Sequence, residues 1–307
     1  MPQLSVVIPA YNEERRLPTT LESVHAFLRE HYQDFEVIIV DDGSGDHTND
    51  IVDSFAKHHE GIRLITYAPN QGKGYAIRTG VLQATGDLIL INDADGSSPI
   101  AEVLQLQKAI ADGADVAIGS RNKPDPDRVV VADLHRKYIG NTFNMIVQTL
   151  LLPGIHDTQC GFKLFKRNVA HDIFRVSELN GFAFDVEILY IAKLRNYKIA
   201  ELAINWNNVA GSKVNVVVDS MGMFFQVLSI RRRAWMGNYK KTIPNVVTPL
   251  PLKTRPATSD QSAPSESASE GPQAHSRTNS CEPHSHDNSS CTDPSHNHGT
   301  SKAPPVS

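Results

Sequence analysis

The sequence predicts an α/β fold: a mostly parallel central sheet flanked by helices, in a single domain over residues 1–240, followed by a disordered Ser/Pro/His-rich tail over 241–307. Three observations lead there. Short β-rich runs alternate with stretches whose apolar residues recur at three- and four-residue spacing through the first 120 residues. Those runs are almost continuously aliphatic, as strands covered on both faces are. The composition then breaks near residue 240: no Phe, Trp or Tyr follows Tyr239, and ten of the 18 prolines lie from Pro244 onward. A segment so poor in large apolar residues cannot offset its ordering entropy by burial.

The elements follow in order. Residues 5–8 form the first strand, and 15–31 the first helix, with Leu17, Leu21, Val24 and Leu28 on one face. Strands are expected at 36–40, 63–67, 88–92 and 116–119, and helices at 47–58, 74–84 and 100–112. In such sheets ligands sit beyond the carboxyl ends of the strands. The residues there are polar each time: Pro9-Ala10-Tyr11-Asn12-Glu13, Asp41-Asp42-Gly43-Ser44, Asn70-Gln71-Gly72-Lys73-Gly74, Asp93-Ala94-Asp95 and Gly119-Ser120-Arg121. Each set alone reads as caps and turns. Together they make one rim of carboxylates, glycines and a few cations.

Composition excludes several classes. No run approaches the ~18 apolar residues of a transmembrane helix. Met1-Pro2-Gln3 runs into a strand with no basic region, unlike a signal peptide. Before Arg255 the charge is nearly balanced, so no nucleic-acid partner is expected. Cys160 is the single cysteine before the tail, which fits a reducing, cytoplasmic setting.

The pair Asp93 and Asp95, at i and i+2 behind an apolar strand, is the sharpest chemical signal. Two carboxylates suit Mg²⁺ or Mn²⁺, whose shell is completed by phosphate oxygens and water. Gly72-Lys73-Gly74 satisfies neither the GxxxxGK nor the GxGxxG pattern. It reads as a plain turn or as a glycine-flexed turn whose Lys73 reaches a phosphate.

Five blocks, SVVIPAYNEE (5–14), VIIVDDGSGDHT (37–48), NQGKGYAIRTG (70–80), NDADGSSP (92–99) and AIGSR (117–121), resemble the A-type fold of family 2 glycosyltransferases. Three later blocks, IHDTQCGFKLF (155–165), GFAFDVEILYIAK (181–193) and INWNNVAGSKV (204–214), are similar to the branch that glucosylates dolichyl phosphate. The resemblance implies that Pro9, Tyr11, Glu13 and Asp42 cradle the uracil and ribose of a UDP-sugar donor. It places the metal on Asp93 and Asp95, with Ala94 offering its backbone; Lys73, from the reading of its own turn, is the candidate for a phosphate of the nucleotide. The resemblance sets Arg121 and Arg136 near the diphosphate and acceptor phosphate, and Lys213 near the same phosphates. Asp95, Arg121 and Arg136 are then the residues closest to the chemistry. Ser97 stands where mannose-transferring relatives often carry a glutamine ligand, which leaves a third protein ligand in doubt.

The implied reaction is transfer of glucose from UDP-glucose to a dolichyl or other polyprenyl phosphate, with inversion and loss of UDP. A lipid phosphate is already largely ionised, its second pKa being near ~6, so it needs positioning rather than a general base. The alternatives are the same reaction with another donor such as GDP-mannose, or a membrane-associated nucleotide-sugar-binding protein without turnover. Asp185 and Glu187 are the remaining carboxylates of interest, either reactive or capping a helix end.

A lipid acceptor implies a peripheral enzyme on the cytoplasmic face of a membrane. Residues 220–241 contain no acidic residue and carry Arg231, Arg232, Arg233, Lys240 and Lys241, with Met221, Phe224, Phe225, Leu228 and Trp235 nearby. That reads as an interfacial helix or as a core-packed last helix with a solvated basic end. A second candidate is 138–152, with Phe143, Met145, Ile146, Val147, Leu150, Leu151 and Leu152. In the tail, His275, His284, His286, His296, His298, Cys281 and Cys291 match no tight zinc spacing.

Overall fold

The alternation of apolar strand and amphipathic helix folds as the pattern dictates. A computed structural model describes residues 1–131, 145, 147–207, 209 and 216–240. The strands are β1 (Leu4–Ala10), β2 (Phe35–Asp41), β3 (Ile62–Thr66), β4 (Leu88–Ile91) and β5 (Val116–Ser120), with helices α1 (Leu17–His31), α2 (Thr48–His58), α3 (Lys73–Gln83) and α4 (Val103–Ala111) between them. Pro18 sits in the first turn of α1, where its missing N–H costs no helical bond. Beyond β5 come β6 (Val130–Val131), β7 (Lys163–Lys166), α5 (Arg167–Phe174), α6 (Phe184–Leu194), β8 (Ile199–Ala203), β9 (Trp206–Asn207) and α7 (Val216–Trp235).

Seven strands form one sheet in the order β3-β2-β1-β4-β7-β5-β8, and β6 pairs with β9 in parallel. All neighbours in the large sheet are parallel except β7, which runs antiparallel between β4 and β5. The mostly parallel sheet is as expected; the reversed strand in its middle is an addition. Phe162, Leu164 and Phe165 are fully buried, which suits this short run to a central position.

Alternation along β1 assigns the two faces. Leu4, Val6, Ile8 and Ala10 pack with Leu17, Leu21, Val24 and Leu28 of α1 and with Val103 and Leu106 of α4. Val7 points to the other face, against Ala76, Ile77 and Val81 of α3 and the apolar sides of α5 and α6. Each fully buried Leu or Ile contributes ~1.5–3 kcal/mol by removal from water. Both layers thereby fix the carboxyl ends of β1, β2 and β4 along one edge, which is where the polar loops emerge.

Part of the second candidate membrane stretch is core. Val147, Leu151 and Leu152 are buried, whereas Met145 is exposed; Phe143 and Ile146 lie outside the described residues. Among the described residues no helix is long and apolar enough to cross a membrane.

Candidate active site

The rim is knitted together by its own polar side chains. After β1 the chain turns at Asn12, with φ of 53°. The Asn12 amide donates to Ser44 Oγ at 2.8 Å, and Asn12 Oδ1 accepts from the Gly45 amide at 2.7 Å. The Glu13 amide donates to Thr48 Oγ1 at 2.8 Å. Loops 11–16 and 43–48 are therefore one unit, with Pro9 one residue from the end of β1 and Tyr11 exposed at the mouth.

The two aspartates at the end of β2, Asp41 within it and Asp42 just after, face inward. Asp41 is fully buried and accepts from the Ser44 amide at 3.2 Å, Asn49 Nδ2 at 3.1 Å and Thr66 Oγ1 at 3.2 Å. Asp42, also buried, accepts from the amides of Gln71 at 2.7 Å and Gly72 at 2.8 Å, and from Asn70 Nδ2 at 2.8 Å. Its carboxylate thus holds the loop that carries Lys73. The glycines of that loop serve close backbone packing: a Cβ on Gly72 would stand 2.6 Å from the Asn180 carbonyl oxygen, and one on Gly74 2.4 Å from that of Leu179. The turn is glycine-flexed as expected, but what approaches it is backbone of the segment before α6.

Lys73 points to the aspartate pair. Its Nζ lies 2.6 Å from Asp93 Oδ1, an attraction of charge rather than a well-directed hydrogen bond. Burial opposes the ammonium, but Asp93, Asp185 and Asp95 outweigh it and hold its pKa above the ordinary lysine value. Asp95 accepts from the Ser97 amide at 2.9 Å and lies 3.8 Å from Arg16, which also pairs with Glu13. Ser97 thus contributes its backbone to Asp95. Ala94 is buried, and its carbonyl accepts from Thr20 Oγ1 of α1 at 2.8 Å. A cleft of about 360 Å³ opens beside Asp95, lined by Arg15, Arg16, Thr19 and Ser98 among others.

The aspartate pair fits a hard divalent cation. Its side chains are 32% and 26% exposed, so each is open to a ligand on one side. A cation already stands at Asp93 in the form of the Lys73 ammonium. No group of three or more His, Cys, Asp or Glu placed to hold a metal ion occurs among the described residues, so what they offer there is this pair. That is the preference of Mg²⁺ and its like, with one or two carboxylates and the rest phosphate and water.

Arg121 stands at the end of β5 in a fork-to-fork pair. Its Nε and Nη2 donate to the two oxygens of Asp157 at 2.7 and 2.9 Å, its backbone amide adds a bond at 3.0 Å, and its guanidinium lies over Trp206 at 5.5 Å. Burial works against both charges, yet their attraction holds the Asp157 carboxyl below the ordinary range and the guanidinium above its own. Asp157 is in turn held by Glu201, which accepts its amide at 2.8 Å. Arg136 and Lys213 lie outside the described residues, as do Lys241 and the His/Cys tail.

Two further buried carboxylates separate in role. Asp185 at the start of α6 pairs with Lys163 at 2.5 Å, both almost wholly buried, and burial pushes its carboxyl up against the pull of Lys163 and Lys73. Glu187 accepts from the amides of Glu178 and Leu179 and from the Tyr239 hydroxyl at 2.8 Å. It serves structure, tying α6 to the preceding loop and to the turn that follows α7. The Cys160 thiol is buried, and burial and Asp157 push it up to about 12, so it stays protonated. Asp157 and Lys163 carry no role in the sequence reading; a lysine inside Phe162-Lys163-Leu164-Phe165 is the signal that could have flagged the second.

The rim thus lies at the strand ends of a mostly parallel sheet, with an aspartate pair after β4. The model of glycosyl transferase family 2 matches residues 5–174, and the chain belongs to that family of glycosyltransferases. More particularly, it is similar to the dolichyl-phosphate beta-glucosyltransferase of Dictyostelium discoideum, with 39% identity over 249 residues covering 77% of this chain and 76% of that one. The Homo sapiens protein of the same name is 37% identical over 251 residues, 78% of each chain. Among solved structures, glucosyl-3-phosphoglycerate synthase from Mycobacterium tuberculosis in complex with Mn²⁺, UDP and glucosyl-3-phosphoglycerate matches with a TM-score of 0.56. It is 17% identical and the match covers 79% of this chain and 82% of that one, a likeness of fold.

Proposed function

We propose that this chain transfers glucose from UDP-glucose to dolichyl phosphate or another polyprenyl phosphate, inverting the anomeric carbon and releasing UDP. The observation that carries the reading is the half-open pair Asp93 and Asp95 at the carboxyl end of β4, in a chain matched along 77% of its length by a dolichyl-phosphate beta-glucosyltransferase.

Asp93 and Asp95 would hold Mg²⁺ or Mn²⁺, which when bound neutralises charge developing on a diphosphate leaving group. The united loops around Pro9, Tyr11, Glu13 and Asp42 receive the nucleoside, with Asp42 acting through the loop it fixes. Arg121 has Nη1 without a partner among the described residues and feels the charge of Asp93, so it offers a fixed cation toward the diphosphate. Arg136 and Lys213 are proposed for the acceptor phosphate. No side chain is assigned as general base, because an ionised phosphate oxygen attacks without one. Incubation with polyprenyl phosphate, Mn²⁺ and a panel of labelled sugar nucleotides tests the donor. Acid-labile glycolipid is expected from UDP-glucose; product from GDP-mannose alone would select the mannosyl reading.

The lipid acceptor requires a membrane-facing surface, and α7 offers one. Phe225, Leu228 and Trp235 are 64%, 44% and 88% exposed, while Val227 and Ile230 are buried in the core. One face of this helix is thus core-packed, and the exposed apolar side chains on the other support the interfacial reading; the side chains of Met221 and Phe224 lie outside the described residues. Arg231, Arg232 and Lys240 are exposed beside the apolar stripe. Arg233 differs: it lies 3.4 Å from Glu178 and 3.7 Å from Glu187, and belongs to the structure. The informative variant is Arg231→Glu with Arg232→Glu. At ~1 kcal/mol per basic residue near an anionic surface, its affinity for phosphatidylserine vesicles should drop about tenfold or more. Flotation unchanged by this variant and by salt would remove α7 as the docking face.

A further inference from the structure

We infer that Lys73 is the resident counter-ion of Asp93, and that it yields this carboxylate to the divalent cation only when a donor diphosphate arrives to receive it. The inference rests on the proposed reading of the rim as a nucleotide-sugar site. It starts from the two oxygens of Asp93. Oδ2 lies against the backbone of Gly161, where a Cβ would stand 2.0 Å away. Oδ1 is the oxygen that Lys73 takes at 2.6 Å. Oδ1 is also the buried oxygen, so a cation on this carboxylate meets the more open Oδ2 with the ammonium already seated on the same group. A divalent cation held by Asp93 would share one carboxylate with the Lys73 ammonium and be repelled by it.

The backbone of Lys73 is fixed while its stem is not. Asp42 accepts from the Gln71 and Gly72 amides, and the Gly74 amide donates to the Asn180 carbonyl at 2.7 Å. Four methylenes then let the ammonium move without moving the loop. Asp185 cannot receive it, being 3% exposed and already bonded to Lys163 at 2.5 Å. The anion that arrives with the donor can. Lys73 therefore makes metal binding weak in the free protein and strong in the nucleotide complex, so that metal and donor load together.

Electron paramagnetic resonance of free Mn²⁺ reads this without turnover, using the full chain with and without UDP. In Lys73→Met the affinity for Mn²⁺ without nucleotide should rise about tenfold, and the gain on adding UDP should shrink by a similar factor. Lys73→Gln, which keeps a polar stem, should shift the same way should the Met variant fold poorly. Asp93→Asn on the Lys73→Met background should abolish the increase, placing the ion on that carboxylate. Affinity equal to or below wild type in both Lys73 variants overturns the inference while leaving the metal site intact. A wild-type protein that binds no Mn²⁺ even with UDP overturns the site reading, and this inference with it.

Discussion

Asp95→Asn is expected to cut kcat for glucosyl transfer by about 10²–10³ while leaving the fold unchanged. Losing one preorganised electrostatic contact to a developing charge costs on that order, and a carboxamide is a poor ligand for a hard divalent cation. The fold survives because Asp95 is 26% exposed and supports little else: one bond from the Ser97 amide, which an amide oxygen can accept, and an attraction to Arg16 at 3.8 Å. Arg16 keeps Glu13. Single-turnover rates, set beside thermal melts of both proteins, check the result. Full activity in Asp95→Asn would refute the metal assignment.

The second large effect is on stability. Asp157→Ala should destabilise the protein by ~3 kcal/mol and reduce transfer as well. Breaking a buried ion pair from one side leaves the other charge uncompensated, typically at ~3–5 kcal/mol. The lower end applies because Arg121 is 30% exposed and can turn partly to water. Acid behaviour gives the sign. The folded carboxyl of Asp157 is held below its ordinary value, so its contribution is present at neutral pH and lost as pH falls through the folded pKa. Urea melts at neutral pH should show the difference, and it should narrow on acidification below the usual carboxylate range. Wild-type stability in the variant would mean that the pair contributes nothing.

What was legible in the sequence was local. Five strands and four helices stand within a few residues of where apolar periodicity puts them, and the polar strand-end loops gather on one edge because parallel strands leave no other arrangement. Asp93 and Asp95 showed because both sit in one tripeptide. The partners that give these residues their roles did not show. Lys73 meets Asp93, Arg121 meets Asp157 and Lys163 meets Asp185 only through the packing of separate elements, and no spacing rule joins residues 20 to 36 positions apart. Gly161 illustrates the same limit: its lack of a side chain matters only because the Asp93 carboxylate occupies that space. Glu187, by contrast, read as either reactive or capping a helix end, and it is consumed by loop amides and the Tyr239 hydroxyl. A buried carboxylate that accepts several such bonds is satisfied by them and stays with the framework.

The proposed reaction is tested most directly by its product. Purified protein given UDP-glucose, polyprenyl phosphate and Mn²⁺ should release UDP in equal amount to a glycolipid. Nuclear magnetic resonance should show that lipid carrying glucose in β linkage to phosphate. Asp95→Asn should give almost none of it. An α-linked product, or UDP released with no glycolipid formed, would contradict an inverting transfer of glucose to a lipid phosphate.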